Sequence, residues 1–236
     1  GAADGYARMA GRPAATLLHL GPGLANGLAN LHNARRAHSP VVNVVGDHAT
    51  YHAVFDAPLE SDIEALARWP EGLVFRPSAP DRLGGAVDSA VSGAVGPPGR
   101  VSSVILPADY SWSPAGDQIG PEPAMIAPVR SSAIDGIVTV LRDHGPDTLL
   151  LIGGPATTQA GLDAVARVAA ATGARTLLET FPARVTRGAG APAVERLAYL
   201  AEQAEQQLSG IEHLILVGAR SPVAFFAYPG KASDLV

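Results

Sequence analysis

The sequence predicts an α/β protein with two Rossmann-like parallel-sheet domains joined by a proline-rich linker. Short apolar segments alternate with helical patterns, the alternation stops between Asp109 and Val129, and it then begins again. The interrupting stretch contains four prolines and has no periodicity, which is typical of a semi-rigid linker. We therefore expect domains over 1–118 and 128–236, with the linker at 119–127.

The composition of the chain excludes several classes of protein. The 236 residues are 47% hydrophobic and 17% charged, which is enough apolar material for two cores. The net charge of −5 argues against a nucleic-acid or anionic-membrane surface, and the lack of cysteine excludes disulfides and thiolate chemistry. No apolar run is long enough to span a membrane. These features lead us to expect a cytoplasmic protein without nucleic-acid or membrane partners.

The first elements place a histidine at a sheet edge. Gly1–Ala10 is typical of the second half of a helix, and a buried strand is predicted from Ala14 onward. Gly21-Pro22-Gly23 predicts a sharp turn, with a helix from about Leu24 to Ala37. His19 would then lie at the carboxyl end of a strand, beside a helix N-terminus. Ligands of open α/β sheets bind at such places.

The remaining elements continue this alternation. In the first half we predict strands over Val41–Val45, Leu73–Phe75 and Val101–Leu106, with helices over Asp62–Arg68, capped by Ser61, and over Asp81–Val95. In the second half we predict strands over Thr148–Ile152, Arg175–Leu178 and Leu214–Val217. The predicted helices there are Ser132–His144, capped by Ser132, Thr157–Thr172 and Val194–Leu208. Such alternation predicts parallel sheets that are covered on both faces.

A glycine pattern lies at the first strand end and admits two interpretations. Gly21-x-Gly23-x-x-x-Gly27 is one residue longer than the dinucleotide fingerprint, and Asp47 ends the next predicted strand as the required acidic residue. This pattern would indicate a nucleotide-binding module for NAD. On spacing alone, a tight strand-to-helix turn is the better interpretation.

Three histidines, His19, His48 and His52, fall on or near predicted carboxyl strand ends. A metal site needs ligands of matched geometry and typically a carboxylate or another fourth group, and the spacing of His48 and His52 does not require a helix, so we predict no metal site. A histidine in such a position suits proton transfer near neutral pH. For His19, this chemistry leaves proton transfer and a structural role in holding a loop equally open.

Several motifs together resemble a known superfamily. Asp4-Gly5-Tyr6-Ala7-Arg8, Leu18-His19, Gly23-x-x-Asn26 and His38-Ser39-Pro40-Val41 resemble the pyrimidine-binding domain of thiamine-diphosphate enzymes. The relevant members are the acetolactate synthases, benzoylformate decarboxylases and pyruvate decarboxylases. In the second half, Glu195-Arg196-Leu197-x-Tyr199 and the segment 225–231 look like the central domain of acetolactate-synthase-like members.

The resemblance implies a thiamine-diphosphate-dependent lyase or carboligase that acts on a 2-oxo acid. It implies a fragment with part of a pyrimidine-binding domain over 1–118 and part of a central domain over 128–236, inactive alone. It also implies Mg²⁺ bound outside this chain, and a homodimer or homotetramer in which a partner subunit supplies the diphosphate-binding domain. FAD is not expected, because Gly218-Ala219-Arg220 continues into Ser221-Pro222-Val223 and departs from the FAD-binding members.

The resemblance also gives expectations for single residues. His19 would transfer protons near the reacting carbon, while Asp47, His48 and His52 would line the mouth of the site. The residues that would approach the cofactor's aminopyrimidine are Gly21, Pro22, Gly23 and Asn26. A non-catalytic scaffold of the same fold stays open as an alternative. The residue that precedes Gly1 decides it, because such enzymes carry a catalytic glutamate a few residues upstream.

Overall fold

The computed structural model describes residues 1–116, 120–121 and 127–236. Contacts divide the chain into two compact units, Gly1–Ala127 and Pro128–Val236. The boundary lies at the end of the predicted linker, although residues 117–119 and 122–126 fall outside the described residues. The α/β class and the two parallel sheets are confirmed.

The first unit is built on a four-stranded parallel sheet in the order β1-β2-β4-β3. Its strands are β1 (Ala14–His19), β2 (Val41–Asp47), β3 (Leu73–Phe75) and β4 (Val101–Pro107). Its helices are α1 (Ala2–Ala10), α2 (Leu20–Arg36), α3 (Ile63–Arg68) and α4 (Leu83–Val95). The predicted alternation is therefore correct throughout this half.

Helices lie on both faces of this sheet, in line with the alternation of side chains along each strand. On one face, α2 and α3 pack against β2 and β4 through residues that include Leu24, Val45 and Ile105. On the other face, α4 packs against Val42 and Val104. Residues one apart on β2 and β4 thus enter two different cores.

Both faces of the sheet were predicted to be covered, but one face of β1 is exposed. β1 is an edge strand, and Leu17, which points away from the face that buries Leu18, is 79% exposed. The prediction failed here because α4 contacts β2, β3 and β4, and no described residue covers this face of Leu17. Apolar periodicity identifies a strand but does not tell which neighbour buries it.

The junction between β1 and α2 is tighter than the sequence predicts. The helix begins at Leu20, directly after the strand, instead of near Leu24. The left-handed residue is Leu20, with φ of 54°, and neither Gly21 nor Gly23 has a positive φ. A non-glycine residue in this conformation costs about 1–2 kcal/mol, which the burial of Leu20 in the core offsets. Pro22 fits the first turn, where its missing N–H is not needed.

A polar ladder crosses three strands of the first sheet. Thr16 Oγ1 donates to Asn43 Oδ1 at 2.7 Å, and Asn43 Nδ2 donates to Ser103 Oγ at 3.0 Å. The three residues are register partners on neighbouring strands, and Asn43 and Ser103 are fully buried. The ladder thereby fixes the alignment of β1, which carries His19 at its end.

The second unit has a three-stranded parallel sheet in the order β6-β5-β7. Its strands are β5 (Thr148–Ile152), β6 (Arg175–Leu178) and β7 (His213–Val217), and its helices are α5 (Ser131–His144), α6 (Gln159–Thr172) and α7 (Ala201–Leu208). Helices α5 and α6 pack on one face, while α7 packs on the other. Every residue of β5 is buried.

The helix predicted over Val194–Leu208 is wrong in its first half, because only Ala201–Leu208 is helical. The preceding residues pair with the end of β6 instead. Leu178 N–H donates to the Glu195 carbonyl, and Leu197 N–H donates to the Leu178 carbonyl, both at 2.8 Å. This long-range pairing outweighs the local helical pattern.

The predicted helix caps also need correction. Asp62, not Ser61, caps α3, since its Oδ1 accepts the Ala65 N–H at 2.9 Å. Ser61 Oγ instead donates to the Leu59 carbonyl at 3.2 Å. Helix α5 starts at Ser131 after Arg130, so Ser132 is not its cap, and α6 starts at Gln159, capped by Thr158.

Candidate functional site

The carboxyl edge of the first sheet gathers most of the predicted site residues. We use this term for the side on which its parallel strands end. In the register, His19 of β1 lies opposite Gly46, and Asp47 of β2 lies opposite Pro107 of β4. His19, Asp47 and the residues that follow them are therefore side by side along one edge, as the sequence predicts.

His19 is the residue at which β1 becomes α2. It is the N-cap residue of α2 and its side chain is exposed. Gly23, one turn into the helix, leaves room beside it, since a Cβ there would lie 3.4 Å from His19 Cβ. The histidine is thus fixed at its backbone by the sheet and open to a ligand at its ring.

The four predicted cofactor-binding residues lie in the first two turns of α2 but differ in what they do. Pro22 and Asn26 are exposed and four residues apart, so they share a helix face. Gly21 is buried, and a Cβ there would lie 2.7 Å from Ser61 Cβ. Gly21 therefore permits helix packing, and contact with a ligand is open to Pro22, Gly23 and Asn26.

His48 and His52 are close together on the loop after β2. Their ring centroids are 5.5 Å apart in an edge-on arrangement, and His52 also lies 6.0 Å from the ring of Phe55. The His48 Nε2 atom is buried and has no hydrogen-bond partner in the described chain. Among the described residues, no group of three or more metal-ligating side chains is assembled.

Asp47 is engaged with protein groups on both of its oxygens. Oδ1 accepts the His48 backbone N–H at 2.7 Å, and Oδ2 pairs with Arg76 at 2.8 Å. Arg76 in turn donates to Glu64 at 3.0 Å. A carboxylate that recognises the ribose of NAD must be available to the sugar, and the Asp47 side chain is only 8% exposed. This argues against the NAD interpretation.

Sequence reasoning missed two polar residues of the carboxyl edge. Arg76 directly follows β3, and Asp109 follows β4 by two positions. Asp109 accepts the Thr50 backbone N–H at 3.0 Å and the Thr50 hydroxyl at 2.6 Å. These bonds hold the pKa of the Asp109 carboxyl below its ordinary value. The signal was available, because both residues follow predicted strand ends.

The carboxyl edge of the second sheet is different. Gly153 follows β5 and Gly218 follows β7, and a Cβ on Gly218 would lie 2.6 Å from the Gly153 carbonyl oxygen. The second unit also contains an exposed aromatic cluster with ring centroids 4.6–5.9 Å apart. Its members are Phe181, Tyr199, Phe225, Phe226 and Tyr228.

Two cavities are lined by other residues. An open cleft of about 440 Å³ between α2 and α3 is lined by residues that include Leu28, Asp62 and Trp69. In the second unit, a cavity of about 130 Å³ lies against Leu162 and Leu178, beneath the segment 185–194. Neither is lined by a predicted site residue. No helix in the described ranges is both long enough and apolar enough for a membrane span.

Comparison with known families gives a match at the N-terminal end. Residues 1–66 match the family described as the thiamine pyrophosphate enzyme, N-terminal TPP binding domain. This range contains α1, β1, α2 and β2 with all three predicted histidines.

A curated relative extends the likeness over the whole chain. The candidate acetolactate synthase large subunit IlvX of Mycobacterium tuberculosis is 58% identical over 238 aligned residues. The alignment covers 100% of this chain and 45% of the relative, so the chain spans less than half of that protein's length.

Solved structures share the fold at low sequence identity. The thiamine diphosphate-dependent 4-hydroxybenzoylformate decarboxylase of Rhodococcus jostii RHA1 superposes with a TM-score of 0.82 at 20% identity, over 97% of this chain and 44% of the other. The benzoylformate decarboxylase of Polynucleobacter necessarius superposes with a TM-score of 0.74 at 21% identity, over 99% and 44%.

Proposed function

Because the chain belongs to the thiamine-diphosphate-dependent enzyme superfamily, we propose that its protein is a lyase or carboligase acting on a 2-oxo acid. The observation that carries this proposal is the exposed His19 at the N-cap of α2, within the range that matches the cofactor-binding family. The name of the 58% identical relative supports acetolactate-synthase-like chemistry. The names of the two solved structures support decarboxylation of a 2-oxo acid.

The start of α2 suits the aminopyrimidine half of the cofactor. This ring has both donors and acceptors, and the exposed Asn26 amide also offers both kinds of group. Gly23 has no side chain and therefore leaves space beside His19. Pro22 shares the exposed helix face with Asn26. When bound, thiamine diphosphate supplies an electron sink for the substrate carbon that loses carbon dioxide.

His19 is the proposed acid–base group of the reaction. Its backbone is held by β1 and by the first turn of α2, so its ring has a fixed origin. A positioned imidazole can hold a proton near neutral pH and transfer it to the substrate carbon or oxygen. Proton transfer by such a group contributes about 10²–10⁴-fold to a rate.

His48 and His52 are proposed to line the mouth of the site. Both follow the end of β2 on the same edge as His19, and their rings are in contact with each other. At this position they would contact the substrate and affect its affinity more than the rate of the chemical step.

The whole protein is proposed to need groups beyond this chain. We place the Mg²⁺ that accompanies the diphosphate outside it, and we expect the chain to be inactive alone. A partner subunit's diphosphate-binding domain would complete the site, in a homodimer or homotetramer. The assignment of the two units as parts of a pyrimidine-binding and a central domain belongs to the same proposal, as does a cytoplasmic location.

The test is turnover by the full-length protein supplied with thiamine diphosphate and Mg²⁺. Carbon dioxide release is measured separately with pyruvate and with benzoylformate, and cofactor binding is measured by calorimetry. We expect release from at least one 2-oxo acid. Bound cofactor without carbon dioxide or a ligation product from either substrate would favour the non-catalytic scaffold.

A further inference from the structure

The loop that carries two of the site histidines is tied to neighbouring strand ends at two points. We propose that Arg76 and Asp109 are positioning residues that hold the segment His48–His52, here called the histidine segment, in place at the carboxyl edge. This inference rests on the proposed function, since it concerns how the mouth of the same site is kept in shape.

The first attachment is at the beginning of the histidine segment. Asp47 accepts the His48 backbone N–H through Oδ1, so the orientation of this carboxylate sets where the segment leaves β2. Its other oxygen is held by Arg76, which comes from the end of β3 on the far side of β4. Arg76 is itself fixed by Glu64 of α3. A planar guanidinium that bridges two carboxylates has little freedom.

The second attachment is in the middle of the segment. Asp109 receives two hydrogen bonds from Thr50, one from the backbone and one from the hydroxyl. Both are charge-assisted, which makes them shorter and stronger than bonds between neutral groups. The next residues close a turn, since His52 N–H donates to the Ala49 carbonyl at 2.8 Å.

These attachments account for an otherwise unfavourable feature. His48 Nε2 is buried without a hydrogen-bond partner among the described residues, which costs free energy in a folded protein. A loose loop would turn this nitrogen toward water. Restraint from Asp47 and Asp109 keeps it in place, together with the edge-on contact to His52. Arg76 and Asp109 thus act through the segment and are not expected to contact substrate.

The experiment measures hydrogen–deuterium exchange of residues 48–55 and steady-state kinetics in the full-length protein. Asp109→Ala removes both acceptors, Asp109→Asn keeps one for the Thr50 N–H, and Thr50→Val removes only the hydroxyl. Arg76→Gln removes the charge, while Arg76→Lys keeps it without the bridging geometry. Matched controls are Asp88→Ala, which removes a carboxylate that accepts the Gly120 N–H, and Arg35→Gln, which breaks the pair with Glu71.

We expect Asp109→Ala and Arg76→Gln to speed exchange of the histidine segment at least tenfold. We also expect them to lower kcat/KM by about 10- to 100-fold, since small misplacements near a reacting centre have effects of this size. Asp109→Asn and Arg76→Lys should restore part of both, and Thr50→Val should have a smaller effect in the same direction. The two controls should leave both measurements at wild-type values.

Unchanged exchange of residues 48–55 in Asp109→Ala, Thr50→Val and Arg76→Gln would overturn the inference. So would faster exchange accompanied by wild-type kcat/KM. A wild-type protein without turnover would overturn the proposed function instead, and the exchange measurements would then decide on their own whether the attachments exist.

Discussion

The two sheets have the same parallel construction, but their carboxyl edges are built from different groups. In the first unit, the edge consists of side chains: the exposed His19, the paired histidines and the carboxylates that hold them. In the second unit, the backbones of Gly153 and Gly218 are in direct contact, and the Glu179 side chain, directly after β6, lies beside Gly153. The same topology therefore gives one edge with titratable groups open to a ligand and one where the strand ends close against each other. Function follows the residues at the strand ends, not the fold.

The largest effect is expected when His19 is removed from the carboxyl edge of the first sheet. If the proposed function is correct, we expect His19→Ala to lower kcat of the full-length protein by about 10²–10⁴-fold with little change in cofactor affinity. The matched control is His32→Ala on the same helix, whose ring contacts Trp69 and not the carboxyl edge. His48→Ala should act mainly on KM. A kcat for His19→Ala within about threefold of wild type, far below a normal acid–base contribution, would mean that His19 only supports the loop.

The close packing of the carboxyl edge of the second sheet is tested by a glycine-to-alanine substitution at the carboxyl edge of each sheet. Gly218 has φ of 70° and a Cβ would meet the Gly153 carbonyl. We therefore expect Gly218→Ala to lower the free energy of unfolding by about 3 kcal/mol, from overpacking and left-handed strain together. Gly46 is the control, since its nearest neighbour is 3.9 Å away, and Gly46→Ala should stay within about 1 kcal/mol. Urea unfolding measures both, and equal losses would contradict the difference between the edges.

Low pH should also affect the stability of the two units differently. Partial burial raises the pKa of Asp4, but hydrogen bonds from Arg8 and Ser39 outweigh it and leave the pKa below its ordinary value of 3.8. Stability from Asp4 is therefore present above that value and is lost as pH falls through the lower folded pKa. Glu202 of the second unit also has a lowered pKa, from its own backbone N–H and Lys231, but is fully exposed.

We accordingly expect the first unit to lose hydrogen-exchange protection before the second one as the pH is lowered from about 5. Asp4→Asn should reduce this difference and lower the free energy of unfolding at neutral pH by about 1 kcal/mol. Loss of protection in both units at the same pH would contradict the assignment to Asp4.

The smallest expected effect is that of added FAD on the second unit. The departure after Gly218-Ala219-Arg220 predicts that this chain does not bind the flavin. Addition of FAD should leave the Tm unchanged and should quench no flavin fluorescence. A shift in Tm that grows with FAD concentration would contradict this prediction and would show that the second edge is open to ligands after all.

Most of the fold could be predicted because strands β2, β4 and β5 are short apolar runs between clear turn signals. The start of α2 could not, since a leucine took the left-handed conformation that is expected of glycine. The segment before α7 could not either, because its pairing with Leu178 depends on residues far away in sequence. Asp109 was missed for a different reason, since the periodic pattern had ended and only the position after β4 marked it.

The polar ladder of Thr16, Asn43 and Ser103 has a consequence for how the first sheet assembles. A one-residue slip of β1 would send Thr16 to the opposite face of the sheet and leave the buried side-chain oxygen Oδ1 of Asn43 without its donor. Such an orphaned group costs about 1–3 kcal/mol, so the misaligned pairing is less stable than the native one. The same slip would turn His19 to the face of the sheet on which Leu18 packs against α2. The ladder therefore favours the alignment of β1 in which His19 lies on the opposite face from Thr16.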